Sequence, residues 1–260
     1  MIDLHCHILH GMDDGPETFE ESVGMCRMAL KDGISIIVAT PHFRPGMYES
    51  FQQEKHNKSA ALNDELKRLG ITVKILVGGD VTVTPELPRH LSADPSLYLN
   101  GTGKYFLAEL PHDAIPANWD SFLLSLRCKG ITPIITHPER NRWFLNHSNA
   151  LAAFVMSGGM VQITAMSITG AMGKEVQEYC RFLLRSNLVH VIATDAHAID
   201  QRPPLLSEAV AEAVKIIGRE RAMRLVNDIP QAIIEGRTVD FADPIIAAPE
   251  KKWFQRLLNY

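Results

Sequence analysis

Seven short apolar runs recur along the chain, at residues 1–7, 34–40, 72–77, 105–110, 131–136, 160–164 and 188–194. Most of them are separated by a segment with helical periodicity, and that alternation constrains the fold more than any other feature. Strands that alternate with helices pair in parallel, through right-handed crossovers. The first helix is expected from Thr18, whose side chain can cap the backbone while Glu21 completes a capping box. Phe19, Val23, Cys26 and Leu30 then recur at helical spacing, and Gly33 ends the run. Further helices are expected over 48–69, 117–129, 148–157 and 173–186, and closing helices over 204–217, 218–227 and 229–236. No glycine-rich phosphate loop follows the first strand, as an open nucleotide-binding sheet would often show. The expectation is an α/β chain folded as a seven-stranded, TIM-like (β/α)7 barrel, one domain over residues 1–240. Residues 241–249 read as a linker rich in proline and alanine, and 251–260 as a short basic amphipathic tail on the barrel exterior.

In such a barrel the active site gathers at the C-terminal ends of the strands. Those ends carry a consistent chemistry here. His5 and His7 stand two residues apart in the first strand, so both side chains point to one face and can grip one ion, while Cys6 points to the core. Asp14, His42, Asp80, Glu109, His137, Asp195 and His197 follow, each at or just after a strand-like run. Glu109 lies inside an apolar strand, where an unpaired carboxylate is costly to bury. Asp14 and Asp80 sit beside glycines and could instead serve as turn residues, with Asp13 the likelier holder of the first of these turns.

Nine nitrogen and oxygen donors suit manganese, iron or zinc, and the absence of a thiolate disfavours a purely structural zinc site. Nine exceed the needs of one ion, so two or three ions bridged by a carboxylate are expected. A cluster of that kind lowers the pKa of a bridging water and supplies a hydroxide nucleophile. Arg140 and Arg202 each follow shortly after a presumed ligand, and a guanidinium binds phosphate through two parallel hydrogen bonds. Metal ions plus arginines point to phosphate ester hydrolysis. A cysteine-based phosphatase would need Arg six positions after Cys6, Cys26, Cys128 or Cys180. Those positions hold Met12, Asp32, Ile134 and Ser186, which excludes that route.

The net charge of −4 gives no basic footprint for nucleic acid. No early stretch reads as a signal peptide, and no window approaches the roughly 18 consecutive apolar residues of a membrane span. The four cysteines lack C-x-x-C spacing. A soluble, cytoplasmic protein with reduced thiols is the plain expectation.

The run His5-Cys-His7-Ile-Leu-His-Gly-Met-Asp-Asp14-Gly-Pro, with Ala-Thr-Pro-His42, His137-Pro-Glu-Arg140 and Asp195-Ala-His197, resembles the polymerase and histidinol phosphatase superfamily. Within it, the chain is most similar to the bacterial manganese-dependent tyrosine-protein phosphatases of capsule and exopolysaccharide operons. The resemblance spans residues 1 to about 236. It implies a distorted TIM-like barrel, a trinuclear metal site, and a substrate on the phosphotyrosine tail of a membrane-bound tyrosine autokinase. It also implies that His5, His7, Asp195 and Asp80 share one ion, that Asp80 bridges to a second held by Glu109 and His137, and that Asp14, His42 and His197 hold a third. Arg140 and Arg202 would clamp the phosphate. The chain departs from the family at Asp80, where glutamate is usual and one methylene longer. A small-molecule phosphatase acting on histidinol phosphate or nucleotides is the nearest alternative, and an amidohydrolase-like metal hydrolase a more distant one.

Overall fold

Among the described residues, nine parallel strands build the centre of the molecule: β1 (Ile2–Cys6), β2 (Ile36–Ala39), β3 (His42–Phe43), β4 (Lys74–Val77), β5 (Asp80–Thr82), β6 (Tyr105–Glu109), β7 (Thr132–Thr136), β8 (Met160–Thr164) and β9 (Val191–Ala193). The structure, a computed structural model, describes residues 1–49, 51–111 and 115–245. Pairing follows β1-β2-β4 in one sheet and β3-β5-β6-β7-β8-β9 in the other. The two sheets are halves of one barrel. β2 and β3 are one stave interrupted at Pro41, and β4 and β5 are another interrupted at Gly78-Gly79. The wall closes where Cys6 bridges Ala196, with the His7 N–H donating to the Ala196 carbonyl and the Asp195 N–H to the His5 carbonyl, both at 2.8 Å. Counted as staves, there are the seven that the sequence pattern implies, and the two breaks are the distortion.

A Cβ at Gly78 would press on Leu99 and Val38 at 3.0 Å, so a side chain there would need its neighbours to give way. The break at this glycine lets the third stave restart at Asp80 with the side chain turned inward and fully buried. Asp80 is thus the first residue of a strand and is not a turn residue.

The surrounding helices among the described residues are α1 (Phe19–Lys31), α2 (Gln52–Arg68), α3 (Leu87–Ala93), α4 (Trp119–Arg127), α5 (Arg142–Asn146), α6 (Ser148–Met156), α7 (Ala165–Thr169), α8 (Lys174–Arg185), α9 (Ser207–Ile217), α10 (Arg219–Arg224) and α11 (Asp228–Ile234). The capping box at Thr18 is complete: the Glu21 N–H donates to Thr18 Oγ1 at 3.2 Å and the Glu21 carboxylate takes the Thr18 N–H. α2 starts four residues later than the pattern predicts, because Tyr48 is held in an antiparallel bridge with Arg44. α3, α5 and α7, each seven residues or fewer, were not expected from the pattern.

Leu4, Ile37, Phe106, Ile134, Val161 and Ile192 pack along the barrel wall, all fully buried. Each contributes about 1.5–3 kcal/mol on burial. The N-terminal end of the barrel is closed by the last helices: the Ile2 N–H donates to the Val226 carbonyl at 2.8 Å, and the Tyr105 hydroxyl to the Arg237 carbonyl at 2.8 Å. Residues 241–245 lie on the same end, where the Ile245 N–H donates to the Ser186 carbonyl at 2.8 Å. The expected tail over 251–260 lies outside the described residues. No helix among them is long and apolar enough to cross a membrane.

Candidate metal centre

The opposite, C-terminal end of the barrel is where the nine donors meet. Strand register places them. His42 pairs with Asp80 across β3 and β5, and Thr82 pairs with Glu109 across β5 and β6, so each pair shares one height in the wall. His137 ends the β7 stave and Asp195 the β9 stave, both with positive φ (35° and 51°). Left-handed backbone is uncommon outside glycine and marks residues held by their surroundings. At both positions the chain must leave the wall abruptly while its side chain stays in the mouth.

Three close groups result. His7, Asp14, His42 and His197 form one; His5, His7 and Asp80 a second; His42, Asp80 and Glu109 a third. Asp14 Oδ1 lies 3.3 Å from His197 Nε2 and 3.5 Å from His42 Nε2. Asp80 Oδ2 lies 3.2 Å from His42 Nδ1 and 3.7 Å from His5 Nε2. The grouping differs in part from the one the resemblance implies. His7 faces Asp14, His42 and His197 as well as His5, and His42 also belongs with Asp80 and Glu109. Asp195 Oδ1 stands 3.3 Å from His5 Nε2 and 3.5 Å from His7 Nε2, between the two imidazoles. His137 lies beside His5, with ring centroids 5.9 Å apart, and joins none of the three groups.

Arg140 Nη1 and Arg202 Nη2 both approach Asp195 Oδ2, at 2.9 and 2.6 Å. Burial pushes the Asp195 carboxyl up, but the charge of His5, the bond to His7 and the Arg140 guanidinium outweigh it and hold the group well below the usual carboxylate range. The loop after His197 folds back on itself, with the His197 N–H donating to the Arg202 carbonyl at 2.9 Å, and this sets Arg202 over the centre. Arg140 pairs with Asp195, whereas its neighbour Glu139 is buried and accepts the Thr164 N–H at 2.9 Å.

Supporting residues surround these donors. Asp13 is a turn residue, accepting the Gly15 N–H at 3.0 Å, and it does more. Its Oδ2 receives His7 Nδ1 at 2.5 Å and the His42 backbone N–H at 2.8 Å, so one carboxylate aims two candidate ligands. Gln162 Oε1 takes His5 Nδ1 at 3.0 Å. Both contacts leave the Nε2 atoms facing inward, the arrangement that fixes a ligating tautomer. Asp3, on the same strand face as His5 and His7, accepts from the Thr194 N–H at 3.0 Å and from its hydroxyl. Burial pushes the Asp3 carboxyl up to about 6 against those bonds. Arg44 Nη2 donates to both Glu109 oxygens at 3.2 and 3.4 Å, and Thr82 Oγ1 donates to Glu109 Oε2 at 3.0 Å. Asp3 could have been found from the strand period; Gln162, Thr82 and Arg44 carry no local signal.

The donor set fits metal ions on the structure's own terms. Both Asp80 oxygens, His42 Nδ1 and His197 Nε2 are buried without a well-formed hydrogen bond among the described residues. Buried polar atoms left in that state are costly unless something else binds them. These atoms converge on one mouth, in a site of imidazoles and carboxylates that suits divalent cations.

A donor cluster of this kind at the C-terminal mouth of a β/α barrel, flanked by two guanidinium groups, defines a metal-dependent hydrolase. The chain matches the capsular polysaccharide synthesis family CpsB/CapC over residues 1–235 and belongs to that family. The tyrosine-protein phosphatase YwqE of Bacillus subtilis is 34% identical over 254 residues, covering 98% of this chain and 99% of the relative. The tyrosine-protein phosphatase CpsB of Streptococcus agalactiae is 30% identical over 244 residues, covering 92% and 100%. Among solved structures, one described with YwqE from B. subtilis and CpsB from Streptococcus pneumoniae as unique metal-dependent tyrosine phosphatases superposes with a TM-score of 0.89. It is 33% identical and covers 94% of this chain and 98% of its own.

Proposed function

We propose that this protein is a manganese-dependent protein-tyrosine phosphatase acting on the phosphotyrosine tail of a membrane-bound tyrosine autokinase, in the cytoplasm, in the control of capsule or exopolysaccharide synthesis. The observation that carries the chemistry is the placing of Arg140 and Arg202 on one carboxylate oxygen at the edge of the donor cluster. Two guanidinium cations gathered at one oxygen can each donate to a phosphoryl group brought to the same edge. Membership in the CpsB/CapC family, and the activity named for its relatives, supports tyrosine as the alcohol.

His5, His7, Asp14, His42, Asp80, Glu109, His137, Asp195 and His197 would hold two or three ions. When bound, these supply Lewis acidity toward the phosphoryl oxygens and lower the pKa of the attacking water. The chain's own residues do the rest. Arg140 and Arg202 orient the phosphate and offset the charge that builds on it. Asp13 and Gln162 keep the His7 and His5 rings turned inward. No residue need accept the phosphoryl group. The tyrosyl oxygen leaves as a phenolate whose conjugate acid has a pKa of about 10, so it needs less acid assistance than an alkyl alcohol.

The test is hydrolysis by metal-stripped protein refilled with manganese, comparing phosphotyrosine peptide, phosphoserine peptide and histidinol phosphate. Manganese-dependent preference for the phosphotyrosine peptide is expected. Equal or faster turnover of histidinol phosphate would refute the substrate assignment, and activity surviving in the stripped protein would refute the metal.

A further inference from the structure

The donors and the two arginines do not account for one built feature of the mouth, the turn between β3 and α2. Arg44-Pro45-Gly46-Met47 is a closed turn, with the Met47 N–H donating to the Arg44 carbonyl at 3.0 Å and Gly46 at φ 81°. Proline at the second position and a left-handed glycine at the third are the requirements of a type II turn. Arg44 and Tyr48 then pair backbone to backbone, each N–H donating to the other's carbonyl at 2.9 Å, and Glu49 Oε1 takes the Gly46 N–H at 2.9 Å. The turn is therefore fixed at its base and its tip.

Both arms of it reach the centre. Arg44 holds Glu109, as described above. The Tyr48 ring lies over the His42 imidazole, centroids 5.7 Å apart and planes inclined by 19°. Among the described residues it is the one ring other than histidine stacked on a candidate ligand. Tyr48 is half-buried, while Met47 beside it is 64% exposed and Phe51, three residues on, is 68% exposed. The turn thus brings an aromatic ring to the edge of the mouth alongside the Arg44 guanidinium, with two exposed apolar side chains near it in the chain.

We propose that Tyr48 is a specificity-determining residue, forming the wall against which the phenyl ring of an aromatic phosphate ester lies once its phosphate is held by Arg140 and Arg202. A flat ring held in place by a rigid turn can pack against a second ring at low entropic cost, and an alkyl phosphate gains nothing from it. This role deepens the phosphatase reading and rests on it for its biological sense.

Calorimetric titration of the manganese-loaded protein with phenylphosphonate and with methylphosphonate isolates the ring from the phosphate. Tyr48→Ala is expected to reduce the ratio of the two affinities about three- to tenfold, with manganese content as in the unaltered protein. The ratio of kcat/KM for phosphotyrosine over phosphoserine peptides should fall in parallel. Tyr48→Phe, which keeps the ring, should keep the ratio. Equal weakening of both phosphonates, loss of manganese in Tyr48→Ala, or no change at all would overturn the proposal; the first two would make Tyr48 a support for His42. Failure of the unaltered protein on phosphotyrosine peptides would refute the activity, and the phosphonate ratio would still decide Tyr48 separately.

Discussion

Asp13→Ala probes how much of the metal centre depends on a residue that need touch no ion. The carboxylate makes three contacts: His7 Nδ1 at 2.5 Å, the His42 N–H at 2.8 Å and the Gly15 N–H at 3.0 Å. Burial raises its pKa, but the charge of His7 and these bonds outweigh that and keep the carboxyl below its usual range. Alanine frees the His7 ring to rotate and removes the anchor that sets His42 at its height in the wall. Loss of an outer-shell carboxylate commonly costs 10–100-fold in metal affinity, about 1.4–2.7 kcal/mol. That matches the roughly 1.5–3 kcal/mol of one hydrogen bond to a charged group, the His7 contact being the largest of the three. The assay is manganese titration of stripped protein against a competing chelator, with circular dichroism to confirm the fold. Half-saturation should rise about 10–100-fold, and activity at saturating manganese should largely return. Asp13→Asn, which keeps one acceptor oxygen without the charge, should fall between. Wild-type affinity in Asp13→Ala would refute the reasoning. So would lost activity at saturation with unchanged affinity, because the residue would then act on substrate.

Arg140→Ala and Arg202→Ala should each lower kcat/KM on a phosphotyrosine peptide about 10²–10³-fold, the cost of removing one charged donor to a transition state. Manganese content should not change, and its loss would count against a phosphate clamp. Gly15→Ala should weaken manganese binding, because the added Cβ would fall inside contact distance of the His7 carbonyl oxygen and 3.0 Å from Asp13 Oδ1. Wild-type affinity there would show that the loop carrying Asp13 and Asp14 can give way. Lys55, fully buried on α2, donates to the Ser96 carbonyl at 3.2 Å, and burial lowers its pKa from 10.5 to about 8. Between those values the unfolded chain keeps a proton that the folded chain has lost, so this group's contribution to stability rises with pH across that window. Below about 8 the folded state carries the full cost, about 3 kcal/mol. Buried thiols with raised pKa values act in the opposite sense over the same range, so the readout is a difference: the urea midpoint of Lys55→Met relative to the unaltered protein should fall as pH rises from about 8 toward 10.5, and a constant difference would refute the assignment.

The order of the main strands and helices was legible because most of them announce themselves locally, by an apolar run, a capping box at Thr18 or a stop such as Gly33. The candidate donors were legible for a related reason: a polar residue at the end of an apolar strand, like Glu109 or Asp195, stands out against its neighbours. Elements governed by contacts instead of period were not. Tyr48 looks helical in sequence and is drawn into the turn with Arg44, and Gly78-Gly79 looks like a loop and turns out to be a break within a stave.

The inventory is local, because nine candidate nitrogen and oxygen donors, two arginines and the strand ends that carry them can be read residue by residue. Which candidate donors share a group, and what holds them, depends on contacts between distant staves. His5 is aimed by Gln162, 157 residues away, and Asp3 meets Thr194 across 191 residues. Such pairs arise when the last stave closes on the first, and the register of that closure is set by packing around the whole barrel. Sequence spacing cannot encode it, because neighbours across a closed wall have no fixed distance along the chain.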